Sequence, residues 1–147
     1  MLSSDSVNDL LHWSTNIDDD RIAWLQLQTD GKSVNVLTHA VMEELAILID
    51  GLEAADNLAC LALLSGKPGG FVYGADIPEF ETLKTAADVA SHMAMVLGPF
   101  NRLEAPAVAS CGGLDGIAVG GGLELSRAVD RPFVTAPPDT KLGFHPL

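Results

Sequence analysis

Hydrophobic and polar positions change their spacing repeatedly along this chain, and each change predicts an element. Ile22-Ala23-Trp24-Leu25-Gln26-Leu27-Gln28 partly alternates, the pattern of a strand with one covered face. Thr29-Asp30-Gly31 follows, and its Asp-Gly pair is turn chemistry. Val41, Leu45, Leu48 and Leu52 then share one face of a helix, and Thr38 stands where its N-cap belongs. Asp50-Gly51 weakens that helix near its end. Leu58 to Ser65 is almost continuously apolar, as expected of a strand covered on both faces. Ser65-Gly66-Lys67-Pro68-Gly69-Gly70 must then be a loop.

The second half repeats this rhythm. Thr85 and Asp88 are spaced like a capping box, with Asp in the place of Glu. The helix behind them carries Val89, Met93, Val96, Phe100 and Leu103 on roughly one face. Pro106 separates it from a short apolar stretch, Ala107 to Ser110. A glycine-rich segment leads into a helix beginning near Gly121 or Gly122, and Phe133 to Thr135 reads as another short strand. Strands and helices in alternation predict an α/β domain with covered sheets. Alternation alone fits a doubly wound sheet or a spiral of ββα units equally well.

Composition narrows the class. The chain has 147 residues, 48% of them hydrophobic, enough for a single domain over 1–147 with a real core. Residues 1–19 are expected to be a flexible lead. The longest apolar run, Leu58 to Leu64, is too short to span a membrane. Met1 to Asn8 has no basic or apolar stretch and does not read as a secretory signal. Cys60 and Cys111 are isolated in sequence, and Cys60 lies in an apolar run that suits a reduced buried thiol. A cytoplasmic location fits these features. The net charge of −12 argues against nucleic acid as a partner. An anionic small ligand would need local donors, and Lys32, Lys67 and backbone N–H groups are available.

Several motif readings fail on spacing. Ser65-Gly66-Lys67 is no phosphate loop, because Pro68 follows the lysine and Leu61 stands where a glycine is needed. The glycines from 116 to 122 do not have dinucleotide-fold spacing. His12, His39, His92 and His145 show no metal-ligand spacing, so no metal site is expected and they read as surface or loop residues. Glu124 alone is a weak signal, since the helix dipole favours a first-turn Glu whatever its function. Gly74-Ala75-Asp76 alone can be a plain turn.

Taken together and in order, these stretches resemble the crotonase (enoyl-CoA hydratase/isomerase) superfamily. Within it they resemble the hydratase part of the multifunctional fatty-acid oxidation proteins. Gly31-Lys32-Ser33-Val34-Asn35-Val36-Leu37 is similar to the family's first CoA-side loop. Ser65 to Ile77, ending in Gly74-Ala75-Asp76-Ile77, is similar to its most characteristic segment. Phe100-Asn101-Arg102-Leu103-Glu104 and Gly120-Gly121-Gly122-Leu123-Glu124-Leu125 continue the match. The resemblance implies a spiral of ββα units and an enoyl-CoA hydratase of fatty-acid β-oxidation, with coenzyme A as part of the substrate and no separate cofactor. It implies that the backbone N–H groups of Ala75 and Gly121 hold the thioester oxygen, while Glu124 activates the water that adds to C3. It also implies that Val34 and Gly74 to Ile77 line the CoA path, and that the chain forms a homo-oligomer, a trimer or hexamer. Donors fixed by backbone need no reorganisation during reaction, and one such donor is typically worth about 3 kcal/mol.

The chain departs from the family pattern near its end. Hydratases of this family carry a second glutamate in Gly-x-Pro-Glu, which supplies a proton to C2. Counted without gaps, Gly143 falls on that glycine and Pro146 on the glutamate, and proline cannot transfer a proton. A gapped alignment instead puts Asp139 there, as a shortened substitute. The ungapped count keeps Thr135, Pro138, Thr140, Leu142 and Gly143 in register. Cys111-Gly112-Gly113 also fills a place where an apolar strand is usual. The expectation is therefore a core incomplete at its C-terminus. The alternative to a hydratase is a truncated, non-catalytic remnant that binds acyl-CoA or oligomerises.

Overall fold

In a computed structural model, the structure describes residues 10–104, 109–129, 131–135 and 141–143. The elements run β1 (Trp13–Ile17), β2 (Ile22–Leu27), α1 (His39–Glu53), β3 (Cys60–Ser65), β4 (Gly70–Val72), α2 (Ile77–Phe80), α3 (Ala86–Glu104), β5 (Ser110–Asp115), β6 (Ile117–Val119), α4 (Gly121–Ala128), β7 (Arg131–Thr135) and β8 (Lys141–Gly143). One sheet has the order β1-β2-β3-β5-β7, and a smaller one has the order β4-β6-β8.

From β3 onward, successive strands go to different sheets. β3 joins the large sheet and β4 the small one; β5 and β6 repeat the step, and so do β7 and β8. All pairings are parallel except β1 with β2. This is the spiral of ββα units, and it excludes the doubly wound sheet that alternation alone left open. The loops after β4 and β6 consequently emerge side by side.

Apolar spacing explains the packing of the first helix. Val41, Leu45 and Leu48 of α1 are wholly buried against Leu25, Leu27 and Leu63 of the large sheet. Burying each such side chain contributes roughly 1.5–3 kcal/mol before entropy is counted. Thr38 caps α1 as expected, its side chain accepting from the Val41 N–H at 3.1 Å. Arg102 of α3 grips the other end of α1, with Nη2 at 2.7 Å from both Asp50 and Glu53.

Three expectations need correction. The expected lead over 1–19 contains β1, which pairs with β2 from Trp13↔Leu27 to Ile17↔Ala23. Trp13 is buried and its Nε1 donates to the Val41 carbonyl at 2.9 Å, while the Glu44 carboxylate accepts from the N–H groups of Leu11 and His12. His12 is buried rather than superficial, and its Nδ1 accepts from the Asp30 N–H at 3.0 Å. On α3, Phe100 and Leu103 are buried, but Val89 and Met93 are 47% and 43% exposed, so half of that apolar face lies open.

The small residues Cys111-Gly112-Gly113 do not interrupt the sheet. They form the middle of β5, between β3 and β7. Neighbouring side chains occupy the space: a Cβ added to Gly112 would meet Val129 at 3.0 Å, and one added to Gly113 would meet Leu64 at 2.6 Å. Among the described residues, no helix is long and apolar enough to cross a membrane.

Candidate active site

The loop after β4 and the turn after β6 meet at two glycines. Gly74 has φ +99° and Gly120 has φ +53°, conformations that L side chains rarely adopt. A Cβ added to Gly74 would lie 3.7 Å from the Gly121 nitrogen, and one added to Gly121 would lie 3.8 Å from the Ala75 nitrogen. The two expected donors are thus neighbours in space, carried by segments that are remote in sequence.

Backbone pairing around both of them turns on their neighbours. Leu37 makes a parallel bridge to Ala75: its N–H donates to the Gly74 carbonyl at 2.8 Å, and its carbonyl accepts from the Asp76 N–H at 3.3 Å. In that pattern the N–H of Ala75 itself points away from the Leu37 backbone. On the other side, the Gly120 carbonyl accepts from Leu123 and Glu124 at 3.0 and 3.2 Å, closing the first turn of α4. The N–H of Gly121 lies ahead of that turn, at the positive end of the helix. Among the described residues, neither the Ala75 nor the Gly121 N–H has an acceptor.

Glu124 is in the first turn of α4, three residues beyond Gly121 and on the same side of the helix. It is exposed, and among the described residues its carboxylate has no partner. Two donors and a free carboxylate within one helical turn can polarise a carbonyl and hold a water beside it.

Asp76 follows the Ala75 donor directly, and a carboxylate there opposes a developing anion. Lys32 offsets it, with Nζ 3.0 Å from Asp76 Oδ1. The lysine side chain is 42% exposed, so this pair contributes at most about 1 kcal/mol. Lys67, the other candidate donor for an anionic ligand, is engaged inside the protein. Its Nζ donates to the Thr29 carbonyl at 2.5 Å and to the Lys32 carbonyl.

Of the other expected residues, Val34 is half-buried in the loop between β2 and α1, and Ile77 opens α2 with 65% exposure. Asp139 lies outside the described residues, as does Pro146. The expectations about a second acid therefore have no counterpart in the described site.

Sequence reasoning missed two residues that hold this loop. Glu79 of α2 accepts from the His39 N–H with both carboxylate oxygens, at 2.8 and 3.1 Å, tying the segment behind Ala75 to the start of α1. Asn35 is 1% exposed and bonds to three strands, at the ends of β2 and β3 and within β4. Its one sequence signal is a polar residue set among Val34, Val36 and Leu37. The structure also brings the two cysteines together, with sulfurs 3.7 Å apart across β3 and β5. Burial first, and then the hydrogen bond and charge of Cys60, push the Cys111 thiol up to about 11. That environment makes it a poor nucleophile at neutral pH.

No protein-family model matches the chain. The fatty acid oxidation complex subunit alpha of Idiomarina loihiensis is 32% identical over 132 residues, covering 90% of this chain and 19% of the relative. The corresponding subunit of a Psychrobacter species is 33% identical over 135 residues, covering 87% of this chain and 19% of that protein. The chain thus spans about a fifth of the length of these relatives. Among solved structures, an enoyl-CoA hydratase from Shewanella pealeana superposes with a TM-score of 0.81 at 15% identity, covering 91% of this chain and 50% of the other. One from Mycobacterium smegmatis gives a TM-score of 0.78 at 16% identity, covering 84% and 48%. With its two-sheet spiral the chain has the crotonase (enoyl-CoA hydratase) fold, and about nine-tenths of its length is similar in sequence to part of the fatty acid oxidation complex subunit alpha.

Proposed function

We propose that this chain binds acyl-CoA thioesters and adds water to 2-enoyl-CoA, as the hydratase part of a fatty-acid oxidation protein. The observation that carries this reading is the pair of N–H groups at Ala75 and Gly121, without an acceptor among the described residues, with the Glu124 carboxylate, also unpartnered among them, one turn beyond Gly121. The thioester oxygen accepts from both N–H groups, which draws electron density from C3 through the conjugated double bond. Glu124 takes a proton from water as the water oxygen bonds to C3. The displaced electron pair rests on the thioester oxygen as an enolate, and the step ends when C2 takes the proton back from the Glu124 carboxyl, restoring the carboxylate and the thioester carbonyl. Gly74 to Ile77 and Val34 are assigned to the CoA path.

Coenzyme A enters as part of the substrate, with no separate cofactor. A cytoplasmic location and a homo-oligomer, trimeric or hexameric, complete the proposal. The open apolar half of α3 supports association with a second copy of the chain.

Crotonyl-CoA hydration by the 147-residue chain, followed as loss of enoyl absorbance, tests the reading. We expect turnover that Glu124→Gln abolishes while CoA-thioester binding stays nearly intact. Loss of binding in that variant would make Glu124 a structural residue and overturn the assignment. A folded chain that binds the thioester without hydrating it would be a binding protein that retains the fold without the chemistry.

A further inference from the structure

We propose that Asn35 is a positioning residue for the oxyanion donors, setting the Ala75 N–H against the Gly121 N–H. This deepens the proposed hydratase reading and rests on it.

The Asn35 side chain reaches three strands from one buried point. Its Nδ2 shares two hydrogens among three acceptors, the Leu27 carbonyl at 2.9 Å, the Ser65 hydroxyl at 3.0 Å and the Phe71 carbonyl at 3.2 Å. These acceptors close β2, close β3 and lie within β4. Its Oδ1 accepts from the Thr29 N–H at 2.9 Å, a contact that fixes which way the amide faces. Its backbone carbonyl accepts from the Tyr73 N–H at 2.8 Å. Asn35 therefore locks the β2–α1 loop onto both sheets and onto the chain just ahead of Gly74.

The effect reaches the donors through Leu37, two residues on. The Leu37 backbone brackets Ala75 through Gly74 and Asp76, while its Cδ1 lies 3.1 Å from where a Cβ on Gly121 would stand. Leu37 thus touches both donor segments, and Asn35 fixes where Leu37 runs. Removing the amide leaves the Leu27 and Phe71 carbonyls without this donor and frees the loop to shift. Misplacing a catalytic group by about 1 Å can lower a rate on the order of a hundredfold.

The test reads donor geometry directly, without turnover. Butyryl-CoA labelled with carbon-13 at the thioester carbonyl cannot be hydrated. Its carbonyl stretch, measured by difference infrared spectroscopy, falls in frequency when both N–H groups donate to it. We expect a clear fall on binding to the wild-type chain. Asn35→Ala should lose most of it, with the dissociation constant raised by no more than about threefold. Ser65→Ala removes one acceptor and leaves two; it should lose part of the fall, and it decides the matter if Asn35→Ala does not fold. Leu48→Ala, a remote core substitution that destabilises the protein, should keep the full fall.

A full wild-type fall in folded Asn35→Ala, or in Ser65→Ala, overturns the inference. So does an equal loss in Leu48→Ala, which would make the effect general loosening. No fall in the wild-type chain would instead sink the thioester reading of the site, a result distinct from either.

Discussion

Gly122 shows how little room surrounds the donors. A Cβ there would lie 2.2 Å from the Val72 carbonyl oxygen and 2.8 Å from the Val72 Cβ, so α4 packs directly on β4. Gly122→Ala must push the helix off the strand and carry the Gly121 N–H with it. We expect a loss of about 1–3 kcal/mol of stability in urea denaturation, together with weaker thioester binding. Glu124, Gly121 and Ala75 were singled out by the family resemblance, because a glycine run ahead of a helix and a Gly-Ala-Asp turn are each weak signals alone. Asn35 was not, because its partners at Leu27, Ser65 and Phe71 meet only once β2, β3 and β4 are assembled. The cysteine pair was hidden for the same reason: residues far apart in sequence became diagonal neighbours through the β3–β5 register.

At the scale of elements, local signals survived best. The capping box ahead of α3 forms as expected, with Thr85 Oγ1 accepting from the Asp88 N–H at 3.1 Å and Asp88 Oδ2 accepting from the Thr85 N–H at 2.8 Å. Hydrogen bonds from the Thr85 and Lys84 N–H groups hold the Asp88 carboxyl below its ordinary 3.8. A depressed folded value means that the contribution is fully present above pH 3.8 and fades as pH falls through the lower folded value. The first turn of α3 should therefore fray in acid. Asp88→Asn should remove that dependence, as read from amide chemical shifts across a pH titration. The rest of α3 was less legible. Its periodicity marked an apolar face correctly, but periodicity says nothing about what covers it, and only Pro99, Phe100 and Leu103 of the helix are buried. The glycine-rich β5 was obscure for the opposite reason, since Val129 and Leu64 supply the bulk that its own residues lack.

For the whole molecule, the uncovered strip on α3 has a consequence for association. Val89, Met93 and Leu97 are 47%, 43% and 45% exposed on one helix, and Ile47 of α1 adds 46%. Contiguous apolar exposure of this kind marks contact surfaces. Replacing Met93 and Leu97 together by Lys should lower the sedimentation mass of the chain while leaving its circular dichroism unchanged. Unchanged mass would place any self-contact elsewhere. The α/β class could be read from alternation, whereas the assignment of successive strands to two different sheets could not. That assignment is long-range pairing, and it is what brings the β4 and β6 loops together.

The two donors, without acceptors among the described residues, also bear on how the protein breathes. Ala75 and Gly121 sit on segments joined across β4 and β6, strands of only three residues each. A thioester oxygen accepting from both would act as a staple between them, so substrate would complete the protein's own backbone pairing. Occupancy should then slow hydrogen–deuterium exchange at these two amides more than anywhere else in the chain. By mass action, ligand at about a hundred times its dissociation constant adds roughly 2.7 kcal/mol against global unfolding. Small, weakly paired strands at the heart of a site leave the ligand to finish the fold.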